Sequence, residues 1–188
     1  METRREAYEL LTKYNTSSSL IKHGFAVEAV MRYFARKFGE DEEYWGNIGL
    51  IHDLDYELYP EEHCHKTKEI MEKEGISEDI IRSVISHGWN ICIDVKPEHK
   101  MEKVLYTIDE LTGLITATVY MRPNKSILDL EVKSVKKKFK STGFAAGVNR
   151  EVILAGCEML EMELDTVILW TIDGMKEAAK ELELVGEL

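Results

Sequence analysis

Apolar residues return every third or fourth position along almost the whole chain, and no stretch alternates apolar with polar long enough to build a sheet. That periodicity predicts helices over residues 2–13, 20–38 and 78–87, the last with Ile80, Ile81, Val84 and Ile85 as its stripe. Asp41 caps a further helix running to Ile51, and Pro60, at a first helical position, opens one that continues to Glu74. Pro97 opens a long helix to about Met121, and residues 130–140, 149–162 and 165–184 read as three more. Gly39, Gly75 and Gly88 stand where helices should stop. The expected class is all-α: a bundle of about six to nine helices without a substantial sheet. At 188 residues, 44% of them hydrophobic, the chain suits one domain with a sizeable core.

The helix from Asp41 delivers His52 and Asp53 to its C-terminal end, within Leu50-Ile51-His52-Asp53-Leu54-Asp55-Tyr56. A carboxylate on an inward-facing turn is costly unless a cation meets it, and imidazole is the commonest protein ligand for a transition metal. Successive helical residues diverge by about 100°, so both reach one centre only if it lies between them. An aspartate bridging two ions satisfies that condition. His23 lies one turn before Ala26 and Val27, His63 and His87 follow on later helices, and Asp109 sits mid-helix beside Ile108. Taken singly, each of these is more commonly a surface residue; five spaced ligand-type positions on or beside helices are harder to assign to chance.

The formal charge of −11 argues against a nucleic-acid polymer as partner, since phosphate backbones demand clustered Lys and Arg. The one basic run, Lys133 to Lys140, reads as a solvated face. Cys64, Cys92 and Cys157 have neither disulfide-framework nor zinc-ribbon spacing and read as buried, reduced thiols of a cytoplasmic protein. The N-terminal residues lack an apolar signal core and no apolar run reaches spanning length, so neither export nor a membrane partner is expected.

The order H…HD…H…H…D, carried by His23, His52-Asp53, His63, His87 and Asp109, resembles the HD superfamily of metal-dependent hydrolases over roughly residues 20–117. The resemblance implies a single HD-type helical domain spanning residues 1–188, with its metal-binding core at about 20–117 and helices from 130–184 packed on it. It also implies that His23, His52, Asp53 and Asp109 ligate a first metal, while His63 and His87 add a second position bridged by Asp53. His65 competes with His63; the register of residues 63–71 favours His63. His52 and Asp53 would carry catalysis. Many relatives follow the doublet with an apolar residue, Gly and Lys, whereas this chain continues Leu54-Asp55-Tyr56, similar to a little-characterised branch of small HD proteins. With that lysine absent, Arg122, Arg150 and the lysine run, Lys133, Lys136 and Lys137 among it, are the candidate anion donors, and Asp55 and Tyr56 are candidates to bind the rest of the substrate.

The leading expectation is a phosphohydrolase or phosphodiesterase acting on a nucleotide or other small phosphate ester through a metal-activated water. One or two divalent ions would serve it. Imidazole and carboxylate ligands without thiolate suit iron or manganese, with zinc also compatible. The alternatives are a di-iron oxygenase using the same six ligands and a non-enzymatic module that keeps the metal as a staple. Structural metal sites usually close at four ligands, and six are offered.

Overall fold

A computed structural model describes residues 3–186. Among them there are nine α-helices and no strand: α1 (Arg4–Tyr14), α2 (Ser18–Phe38), α3 (Glu42–Leu50), α4 (His65–Lys73), α5 (Glu78–Ile85), α6 (Lys100–Tyr120), α7 (Val132–Phe139), α8 (Arg150–Leu160) and α9 (Leu164–Glu177). Short 3₁₀ turns occupy Pro60–Glu62 and Ser86–Gly88. No described helix is long and apolar enough to cross a membrane.

Local chemistry sets most of the ends. Thr3 and Glu6 form a capping box on α1, Asp41 Oδ1 accepts from the Tyr44 N–H at 2.9 Å to start α3, and Asn149 caps α8. Gly39 closes α2 with φ 72°, a left-handed conformation that costs glycine little. The two 21-residue helices, α2 and α6, form the centre. α3 and α9 pack on α2, and α7 and α8 pack on α6. Their apolar faces join one continuous core running from Ala7 to Leu184. The α6–α8 crossing is close because Gly156 lies on Thr107; a Cβ at Gly156 would sit 2.0 Å from Thr107 Oγ1.

Three elements differ from the periodicity reading. The helix expected over residues 60–74 is broken at Cys64, whose φ of 64° and ψ of −40° take the backbone out of the helical region. His63 ends the 3₁₀ turn and His65 begins α4, so the two histidines do not share a helix. The long helix opens at Lys100 rather than Pro97, because the Glu102 carboxylate reaches back to the Glu98 and His99 N–H groups at 2.7 and 3.1 Å. α9 stops at Glu177 rather than near residue 184. Its continuation folds back through turns, and the Leu184 carbonyl accepts from the Ile127 N–H at 2.8 Å. Burial explains that return: Leu182 and Leu184 reach the core only if the helix ends.

Candidate metal centre

Five segments converge on one cleft. α2 contributes His23 from its second turn and α6 contributes Asp109 from its middle. α3 ends at Leu50, and the turns that follow carry His52 and Asp53 inward, with His52 fully buried. The strained link at Cys64 holds His63 beside them, and the 3₁₀ turn after α5 adds His87. All six candidate ligands are therefore brought together.

They form two sets. His23 Nε2 lies 3.2 Å from His52 Nε2 and 2.9 Å from Asp109 Oδ1, and His52 Nε2 lies 3.3 Å from that same oxygen. Asp53 Oδ2 joins them at 3.3 Å from His52 and 3.6 Å from His23. In the second set His63 Nε2 is 2.9 Å from His87 Nε2, and Asp53 Oδ1 is 3.6 and 3.5 Å from the two. Asp53 thus turns one oxygen to each set. Ligands about 2.1 Å from a shared ion and at right angles are about 3 Å apart, which is the scale of these separations.

The outer nitrogens decide what the inner ones can do. His52 Nδ1 donates to the Gly49 carbonyl at 2.8 Å, His87 Nδ1 to the Val84 carbonyl at 2.6 Å, and His63 Nδ1 to Asp55 Oδ1 at 2.8 Å. Each neutral ring then presents an Nε2 lone pair to the centre. Two lone pairs at 2.9 Å repel unless a positive charge lies between them, and Asp53 Oδ1 is buried without any hydrogen-bond partner. A divalent cation answers both problems, so the residues present fit one. Without it, protons take its place. Burial opposes charge on His52, but Asp53 and Asp109 outweigh it and hold the imidazole well above its usual range; burial likewise opposes His63, and its bond to Asp55 lifts it to about 9. Burial would raise both aspartates, yet the imidazoles hold them far below the usual carboxylate range.

The residues assigned to substrate by sequence fall differently. Tyr56 lines the cleft, 45% exposed, with its ring edge-on to His63 at 5.2 Å. Asp55 does not face the cleft as a substrate contact: it is fully buried, with one oxygen on His63 and the other accepting from the Thr67 N–H at 2.8 Å. Arg150 is saturated, its three nitrogens donating to the carbonyls of Phe139, Ser141, Phe144, Ala145 and Val148, so it pins the loop before α8 and has no donor left for an anion. Arg122 pairs with Asp129 at 2.6 Å in the loop before α7. Among the residues described as lining the cleft there is no Lys or Arg. His65 is exposed and meets the Cys92 carbonyl, and His99 precedes α6.

The fold also recruits residues the sequence reading passed over. Glu110 lines the cleft; its Oε2 accepts from the Asn149 N–H at 3.0 Å, and burial pushes its carboxyl up. Its adjacency to Asp109 was the one available signal. Cys64 and Cys92, far apart in sequence, meet across Gly88 with their sulfurs and a His63 ring nitrogen all within 4.8 Å of one another. A scan against protein-family models, a search of curated proteins and a search of solved structures each return no match. The assignment of function rests on the site.

Proposed function

We propose that this chain is a metal-dependent phosphohydrolase of the HD type, acting on a small phosphate ester in a cytoplasmic setting. The observation that carries the proposal is Asp53, held between two nitrogen-rich sets with one carboxylate oxygen turned to each. A pair of divalent ions held by His23, His52, Asp53, His63, His87 and Asp109 would supply a low-pKa water and positive charge for the phosphoryl oxygens. That charge also accounts for a cleft without Lys or Arg in a protein of net charge −11.

The chain's own residues do the rest. Asp55, Gly49 and Val84 fix the tautomer and orientation of the three imidazoles they bind. Leu20, Ile91 and Val148 add apolar surface to the cleft wall around the polar groups. The Tyr56 hydroxyl is the neutral donor for a substrate oxygen. Glu110, anchored through Oε2, keeps Oε1 to carry a proton to the departing alkoxide.

The test pairs metal analysis with two assays on protein purified without oxygen. Orthophosphate release from phosphate esters, abolished by chelation and by Asp53→Ala, is the expected result. Iron content with dioxygen consumption and no phosphate release would instead mark an oxygenase, and bound metal without either activity would mark a metal-stapled binding module.

A further inference from the structure

The cleft does not end at His23. A second chamber of about 330 Å³ adjoins the metal chamber of about 440 Å³, and the two share His23 and Gly113 as lining residues. Its walls include Ala26 of α2, Thr116 and Ala117 of α6, and Leu182 and Leu184 of the returning tail. Lys22 stands on its lining too, but its ammonium is paired with Glu183 at 2.5 Å. The chamber therefore offers mostly apolar surface, with the hydroxyl-bearing Ser19, Thr116 and Tyr120 also on its lining, and the one lysine described there is already paired.

Gly113 has no evident structural reason to be glycine. It lies one turn after Asp109 within α6, its φ is not positive, and glycine inside a helix costs about 0.5–1 kcal/mol relative to alanine. A Cβ there would meet nothing nearer than Val148 Cγ2 at 3.9 Å, an ordinary contact. Its bare face lies on the wall that the two chambers share, where a larger side chain would project into the space between them. One turn further on, Ala117, together with Ala26 on α2, leaves room for the chamber itself.

We infer that this chamber takes the apolar organic group of the substrate, so that the substrates are phosphate esters of alkyl or aryl alcohols, with Gly113 setting the size that passes. The inference rests on the proposed phosphohydrolase reading for the headgroup and adds the recognition of what the phosphate is attached to. An anionic head at the metal centre and an apolar body beyond Gly113 match the two chambers in polarity and order.

Alkylphosphonates, which are not hydrolysed, test the chamber apart from turnover. Manganese-loaded protein is titrated calorimetrically with methyl-, propyl- and hexylphosphonate while phosphate release from the matching phosphate esters is followed. Wild-type affinity is expected to rise about threefold to fourfold for each added methylene until the chamber fills. Gly113→Val and Ala117→Leu should flatten that series at unchanged metal content; if either loses metal, Gly113→Ala should show an intermediate slope. A flat wild-type series, or variants as steep as wild type, overturns the inference. A steep wild-type series flattened by the variants, without phosphate release from any ester, leaves the chamber standing and removes the hydrolase reading.

Discussion

Asp55 shows how far a single side chain acts from the reacting atoms. Its two oxygens hold the His63 ring and the first turn of α4 together, so Asp55→Ala frees a ligand and leaves a backbone N–H unsatisfied. Metal at the His63–His87 position is expected to bind about 10–100-fold more weakly, measured by manganese titration, with the His23–His52–Asp109 position less affected. Glu110 makes a different kind of prediction. If it hands a proton to the leaving group, Glu110→Gln should slow esters of poorly acidic alcohols by about 10²-fold or more while sparing aryl esters, whose leaving groups need no proton. Equal slowing of both would assign Glu110 to positioning instead. The ligand types were legible in the sequence because charged and imidazole groups recur beside apolar helical positions. The roles of Asp55 and Arg150 were not: each is decided by contacts, Asp55 to Thr67 twelve residues on and Arg150 to loop carbonyls whose geometry no pattern encodes.

At the scale of elements, caps and stops were readable where one residue type dictates them, as at Asp41, Gly39 and Asn149. The break at Cys64 was not, since a cysteine with positive φ carries no local signal and is held there by the surrounding structure. The start of α6 offers a sharper test. Glu102 is almost fully buried, 2.5 Å from Arg82 and bonded to two N–H groups that open its own helix. Burial alone would raise its pKa, but Arg82 and those N–H groups outweigh it and the carboxyl is lowered. A carboxyl lowered on folding contributes stability that is present above its unfolded value of about 4.3 and is lost as pH falls through the folded value. Glu102→Gln should therefore cost about 1–3 kcal/mol at pH 7, read by urea unfolding, with the difference from wild type closing below about pH 4. A constant difference across that range would mean that shape, not charge, holds the junction.

For the molecule as a whole, the candidate metal centre is where the bundle's segments meet. Its candidate ligands come from α2, the turns after α3, the link before α4, the turn after α5 and the middle of α6, so a bound metal would join segments spread over residues 23–109. The all-helical class was legible from periodicity alone; which helix ends face one another was not, because each histidine looks the same whether it faces water or a neighbour. An ion that binds only the folded chain stabilises it by RT ln(1 + [L]/Kd), about 4 kcal/mol at a thousandfold excess over Kd. For a chain of this length that corresponds to roughly 8–16 °C in Tm. Chelation should lower the unfolding temperature by that order, and pH sets how much. In the metal-free form His63, lifted to about 9, contributes stability that is fully present below its unfolded pKa of about 6.5 and lost as pH rises through 9. The same protons compete with metal for Nε2, so affinity moves the opposite way. The drop in Tm on chelation should consequently be larger at pH 8.5 than at pH 6 when measured by calorimetry in matched buffers. A drop independent of pH would show that the imidazoles do not exchange protons for metal, and no drop at all would show that the bundle closes without it.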